Sequence, residues 1–134
     1  MIELLVNIDV EDIEKAVAFY CAAFDLSIGR RFDGSVELLG SSVPIYLLSE
    51  MDGSPASLAA TQRRNYQRHW TPVHLDFVVS DLSAAVKRAV GAGARAEGEI
   101  RSHEWGRIVT LSDPFGNGFC LIEFVGRGYD EIVR

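Results

Sequence analysis

The stretch "VHLDFVVSDLSAAV", Val73 to Val86, decides the fold because its outline occurs twice. Moved back by 69 residues it lies on "LLVNIDVEDIEKAV", Leu4 to Val17, so that Val79 meets Val10, Asp81 meets Asp12, Ala85 meets Ala16 and Val86 meets Val17. Each copy opens with period-two alternation, the mark of a half-buried strand. Leu4, Val6, Ile8 and Val10 share the face expected to meet the helices, and Leu5, Asn7 and Asp9 share the other. In the second copy Val73, Leu75, Phe77 and Val79 oppose His74, Asp76 and Val78. Helical spacing follows in both. Asp12 is the expected cap of the first helix, with Ile13, Ala16, Val17, Tyr20 and Phe24 on its apolar stripe. Ser80 or Asp81 caps the second, which is expected to end near Gly91.

After each helix come three β-like runs. In the first half they are "LSIGRRF", "SVELLG" and "VPIYLLSE", with Asp33-Gly34 marking a tight hairpin and Gly40-Ser41-Ser42 a looser one. In the second half they are "ARAEGEI", "GRIVTLS" and "GFCLIEFV". Two independent stretches thus agree on a βαβββ order, which weighs more than any single element. The expected fold is α+β, a single domain over residues 1–134 built from module 1 (about 1–50), a linker (about 51–72), module 2 (about 73–127) and a C-terminal tail (128–134).

With 134 residues, 48% hydrophobic and 24% charged, the chain suits one ordinary globular domain. Its net charge of −6 argues against nucleic acid and anionic membranes as partners. The start, "MIELLVNIDVED", has no basic region and its apolar run is broken by acids, unlike a signal peptide or membrane span. Two cysteines, Cys21 and Cys120, are too few for a disulfide framework, and a reducing cytoplasm is the expected setting.

The paired modules, "VEDIEKAVAFY", "VHLDFVVSDLSAAV" and "WGRIVTLSDPFGNGFCL" together resemble the vicinal oxygen chelate superfamily, which includes glyoxalase I, extradiol dioxygenases, fosfomycin-resistance transferases and bleomycin-resistance binding proteins. The resemblance implies a curved eight-stranded mixed sheet around a central pocket, with a divalent metal at the pocket centre in the enzymes. It places the early ligand positions at Leu5 and His74 and the late ones at Tyr46 and Cys120. Leu5 has no donor atom and a neutral Tyr is a poor ligand. Cys120 suits a soft or borderline ion such as Zn²⁺ rather than Mg²⁺ or Mn²⁺. Because zinc sites ordinarily use at least three protein ligands, the expectation is that the usual site is dismantled and that no metal cofactor is required, a divalent metal remaining an alternative.

Several residues compete for roles. His74 and Cys120 are the catalytic candidates, as a general base or as a thiolate–imidazole pair, against the plainer readings of a lining histidine bonded to Asp76 and a buried thiol acting as a small hydrophobe. A rebuilt metal site from His74, Asp76, Cys120 and either His103 or Glu3 has no compact spacing signature behind it. Leu5, Asn7, Tyr46, His74, Asp76, Trp105 and Cys120 are the expected pocket residues, with Phe32 and Trp70 at the rim. Arg63, Arg64 and Arg68 are either an anion-binding patch or a solvated, mobile linker. In "DPFGN", Asp113 to Asn117, Pro presets φ while Gly and Asn tolerate positive φ, so the segment reads as a turn without chemistry.

Three functions follow. The first is a metal-independent protein that sequesters a small apolar or aromatic molecule, as the resemblance to bleomycin-resistance proteins implies. The second is a metal-dependent lyase, isomerase or dioxygenase with an altered ligand set. The third is a dimeric interaction module, with Phe19, Tyr20, Phe24 and the tail "GRGYDEIVR" at a homodimer interface. Loss of the usual ligand positions favours the first.

Overall fold

Asp12 caps the first helix as its place after an alternating strand predicts: its carboxylate accepts from the amide of Lys15 at 3.1 Å. The computed structural model describes residues 1–134, which divide into two compact units, Met1–Gln67 and Arg68–Arg134. In the first unit β1 (Val6–Val10) leads into α1 (Ile13–Phe24), then β2 (Ser27–Phe32), β3 (Ser35–Leu39) and β4 (Ile45–Ser49). Asp25, in the left-handed conformation at φ 54°, stops α1, and its amide donates back to the Cys21 carbonyl. The sheet order is β1-β4-β3-β2, with β1 parallel to β4 and the other pairs antiparallel. Asp33-Gly34 makes the β2–β3 turn, Gly34 taking φ +78°. Val10, Ala16, Val17, Phe19, Tyr20, Leu38, Ile45 and Leu47 form the buried side of sheet and helix.

The second unit repeats the plan. It has β5 (Leu75–Val78), α2 (Leu82–Ala92), β6 (Arg95–Ala96), β7 (Arg101–His103), β8 (Gly106–Ser112), β9 (Gly118–Phe124) and a closing 3₁₀ turn, Gly128–Ile132. Its sheet runs β5-β9-β8-β6, with β7 also paired to β8, and β5 lies parallel to β9. Asp81 rather than Ser80 caps α2, accepting from Ala84 at 3.1 Å, and the helix ends at Ala92, near Gly91 as expected, with Gly93 as its cap at φ +125°. Glu123 ties α2 to the sheet: its carboxylate accepts from the Leu82 amide at 3.0 Å and from Arg107 at 2.9 Å.

The α+β class and the doubled βαβββ order hold, and several details differ. "ARAEGEI" is not one strand. It holds only the two-residue β6, while the three-residue β7 begins just after it at Arg101, with Gly98 at φ +108° between them, so the chain has nine strands in two separate sheets. The leading strands start later than the alternation suggests: pairing begins at Val6, opposite Ile45, and at Leu75, opposite Phe119, the first and second residues of β4 and β9. Leu4, which alternation assigns to the buried face, is therefore 65% exposed, and Val73 is exposed likewise. Phe19 and Tyr20 are buried inside their own unit at an edge-to-face ring distance of 4.9 Å, which removes them from any interface. The tail packs rather than trails, Tyr129 lying 4.8 Å from Phe124 and 5.1 Å from Trp105 between ring centres.

The arginine-rich segment is mostly exposed and without regular secondary structure, yet it is tied down at several points. Gly53 and Arg64 exchange backbone bonds with their neighbours across an isolated Pro55–Arg63 bridge, and Arg63 donates to the Gly53 carbonyl at 2.9 Å. Arg64 pairs with Asp9 at 2.7 Å, and Tyr66 donates to the Glu50 carbonyl at 2.6 Å. Arg68, in the second unit, pairs with Glu97 at 2.6 Å. No helix is long and apolar enough to cross a membrane.

Candidate ligand and metal-binding site

In a sheet, residues directly opposite on neighbouring strands present their side chains to the same face. In the second unit that rule lines up Asp76 on β5 with Cys120 on β9, and Cys120 with Thr110 on β8. His74 lies in the segment that leads into β5, and its side chain reaches the same cluster. The ligand atoms of His74, Asp76 and Cys120 all fall within 4.8 Å of one another. His74 Nε2 is 3.2 Å from Asp76 Oδ1, and Thr110 Oγ1 is 3.5 Å from the sulfur of Cys120. His74 and Asp76 are exposed while Cys120 is only 7% exposed, so the cluster has a wet side and a dry floor. Burial chiefly pushes the Cys120 thiol up; the Thr110 hydroxyl opposes this and the Asp76 charge adds to it. The Arg101 guanidinium opposes the rise only in part, so this buried thiol facing a carboxylate is a poor thiolate.

The matching row in the first unit is Asn7 on β1, Tyr46 on β4 and Glu37 on β3. It is occupied by its own hydrogen bonds. Arg30 grips the Glu37 carboxylate through Nη2 at 2.7 Å, Nε at 3.1 Å and its backbone amide at 3.0 Å. Tyr46 donates its hydroxyl to the same carboxylate at 2.8 Å and accepts from Arg30 at 3.0 Å. Gly29, in the β2 irregularity, leaves the space: a Cβ there would collide with Oε1 of Glu37. Sequence reasoning missed Glu37 and Arg30. The signal was a lone charged residue inside the apolar run "SVELL", on the face opposite to Val36 and Leu38.

The Arg30 side chain, then its amide, then the Tyr46 hydroxyl hold the Glu37 carboxyl well below its ordinary value of 4.5, at about 2. A carboxylate whose folded pKa is depressed stabilises the fold above its unfolded pKa, and that contribution disappears as pH falls from about 4.5 to about 2. Glu37→Gln is expected to lower stability most above pH 4.5, with the gap from the parent narrowing toward pH 2. Urea unfolding at stepped pH checks this; a gap that stays constant across the window contradicts it.

Of the four metal positions implied by the resemblance, the first unit offers none that is ready to ligate. Leu5 carries no donor and Tyr46 is engaged with Glu37 and Arg30. In the second unit His74 and Cys120 are joined by Asp76, giving one imidazole, one carboxylate and one thiol. That donor set fits a borderline ion such as Zn²⁺. His103 is not part of it, being stacked on Trp105 with ring centres 5.1 Å apart. Trp105 also sits away from the row, in the turn before Gly106, which pairs with Phe124 at the far end of the β8–β9 ladder. Phe32 and Trp70 are exposed, Phe32 lying beneath the Arg30 guanidinium at 5.4 Å.

An open cavity of about 530 Å³ lies beside the row, lined by Glu97, Gly98, Glu99, Ile100, Arg101 and Thr110. Thr110 belongs to both. The wall is charged where the sequence suggests aromatics.

The model of the glyoxalase-like domain family matches residues 5–122. An uncharacterized protein of Mycobacterium bovis is 29% identical over 127 aligned residues, covering 84% of this chain and 76% of its own length. Among solved structures, the fosfomycin resistance protein FosX of Listeria monocytogenes superposes with a TM-score of 0.73 at 17% identity, covering 99% of this chain and 100% of its own. A glyoxalase/bleomycin resistance protein/dioxygenase family enzyme of Burkholderia phytofirmans gives 0.72 at 20% identity, covering 90% and 97%. The family match spans both copies of the repeat, and this chain belongs to the glyoxalase-like domain family of the vicinal oxygen chelate superfamily.

Proposed function

We propose that this protein binds a small organic molecule against the Asp76–Cys120–Thr110 row, without using a metal centre shared between its two modules. The observation that carries this reading is the position of Thr110, which stands in the row and in the wall of the 530 Å³ cavity. The opening is wide, so it suits a ligand that rests against the sheet rather than one enclosed by it. Two carboxylates, Glu97 and Glu99, and one guanidinium, Arg101, share the wall with a single large apolar side chain, Ile100. Glu97 is already paired with Arg68, so Glu99 is the wall carboxylate best placed to meet a positively charged or hydrogen-bond-donating group. The ligand class is therefore amphipathic, an apolar or aromatic body with a cationic or donor group. Engagement of Tyr46 by Glu37 and Arg30 supports the absence of a shared metal.

Calorimetric titration of chelator-treated protein with a panel of cationic aromatic, neutral aromatic and carboxylate compounds tests this. Binding is expected for the cationic aromatic members, unchanged by chelator. Glu99→Gln is expected to weaken it about tenfold, the equivalent of ~1.4 kcal/mol. Silence across the panel, or binding that needs added metal, contradicts the reading. The second reading, a lyase, isomerase or dioxygenase with an altered ligand set, is favoured by one observation: the convergence of His74, Asp76 and Cys120.

A further inference from the structure

We propose that Glu97, in the cavity wall, is a site for a planar cation on the ligand, an amidinium or guanidinium, and that Arg68 is its resident competitor. This rests on the binding function proposed above, and it names the cationic group and the residue that sets its affinity. Gly118 precedes Cys120 by two residues on β9, so both positions present the same face of the sheet. Gly118 is opposite Ser112 on β8, two residues beyond Thr110. Arg68 lies over that face, because a Cβ on Gly118 would fall 2.8 Å from its guanidinium carbon. The guanidinium therefore rests on backbone that carries no side chain, one pair along from the Asp76–Cys120–Thr110 row. From there Nε donates to Glu97 Oε2 at 2.6 Å and Nη2 donates to Oε1 at 3.1 Å, while Nη1 turns back to the His69 carbonyl. Two parallel bonds of this kind are how a carboxylate selects a planar cation.

Glu97 thus belongs to the cavity wall and is filled by the chain's own arginine. The Arg68 side chain is 40% exposed and comes from a segment outside every strand and helix, so it can leave without unpairing the sheet. The first unit holds a guanidinium on the same face in fixed form. There Glu37 stands where Thr110 stands in the second unit, and Arg30 closes on it from the irregularity in β2. Because the Arg30 amide bonds the same carboxylate, that pair is built into the strand. The second unit has its irregularity between β6 and β7, where residues 97–100 stand against only Val109 and Thr110 of β8. The extra residues bow outward and line the cavity, and the guanidinium arrives from beyond the sheet. One repeat keeps its guanidinium for good; the other keeps one that a ligand can replace.

Benzamidine, a planar amidinium on an aromatic ring, is the probe, titrated by calorimetry into the chelator-treated full-length protein. Arg68→Gln is expected to bind it about tenfold more tightly than the parent, because Glu97 is released. Gly118→Ala, whose Cβ evicts the guanidinium without removing its charge, is expected to move affinity in the same direction. Adding Glu97→Gln to Arg68→Gln should cancel the gain, whereas a gain that only reflects one positive charge fewer would persist in that double variant. In the parent the Nε–H resonance of Arg68 is expected to shift as benzamidine takes its place on Glu97. Circular dichroism confirms that each variant is folded. A parent that binds benzamidine with no gain in Arg68→Gln or Gly118→Ala, or a gain that survives Glu97→Gln, overturns this proposal and leaves the binding function standing. A parent silent to the whole panel beside an Arg68→Gln variant that binds benzamidine does the reverse. Silence in both overturns the two together.

Discussion

Asp113→Ala is expected to lower the unfolding temperature by about 10 °C, although Asp113 lies in a turn and touches no proposed ligand. Its carboxylate is only 4% exposed and works as the hub of the β8–β9 connection. Oδ1 accepts from the amides of Phe115 at 2.8 Å and Asn117 at 2.9 Å, and Oδ2 accepts from the Asn117 side chain at 2.9 Å. The Asp113 amide closes the loop by donating to the Asn117 carbonyl at 2.8 Å. Removing the carboxylate strands buried donors, at a cost of about 2–4 kcal/mol, since each bond to a charged group contributes about 1.5–3 and part is recovered by water. For a chain of this size each kcal/mol corresponds to about 3–5 °C. Asp113→Asn, which keeps one acceptor oxygen, should fall between the two. Thermal denaturation followed by circular dichroism decides it, and a change within about 2 °C for Asp113→Ala contradicts the hub.

Leu47→Ala is the other large effect, with an expected cost of about 2–5 kcal/mol. Leu47 has no exposed surface and stands on β4 directly between Ile8 of β1 and Val36 of β3. These three lie on the sheet face turned toward α1, opposite to the Asn7–Tyr46–Glu37 row. Truncation therefore removes apolar contacts and leaves a cavity that three paired strands and a helix cannot easily close. The control is Leu39→Ala, at the exposed end of β3, which should cost under about 1 kcal/mol because little apolar area is lost. Equal effects from the two substitutions would mean that the faces of this sheet are assigned the wrong way round.

Both predictions show what the sequence made legible and what it hid. The faces of β1 and β5 were readable because alternation is a direct image of one-sided burial. The helix starts were readable because Asp12 and Asp81 occupy equivalent places in the repeat. Strand limits were not, because alternation does not mark where pairing begins, and Leu4 and Val73 are left in solvent. The role of Asn117 in "DPFGN" was also hidden. Gly116 takes the positive φ, at +81°, whereas Asn117 serves through its amide group, bonded to Asp113. Local propensity describes a residue's own dihedral and says nothing of a side-chain partner four positions away.

The site was legible in part for the same reason. His74, Asp76 and Cys120 could be grouped from the sequence only together with His103 or Glu3 and with no spacing signature; 44 residues separate Asp76 from Cys120, and the β5–β9 register is what makes those two neighbours. Glu37 looked like an ordinary strand residue until Arg30 and Tyr46 closed on it from two strands. Trp105, expected in a pocket wall, packs on His103, Phe124 and Tyr129, because the closing turn folds back on the end of β9. Aromatic residues announce buried area in a sequence but not which neighbour supplies it.

The claim that a ligand rests on the polar row of the second sheet is tested most directly by amide chemical-shift mapping. Isotope-labelled, chelator-treated protein is titrated with the tightest-binding compound of the panel. The largest shifts are expected at Asp76, Glu99, Arg101, Thr110 and Cys120, with little change along α1 and α2. Shifts concentrated on the helices or on the Trp105–Tyr129 cluster, with the row unmoved, would contradict the account.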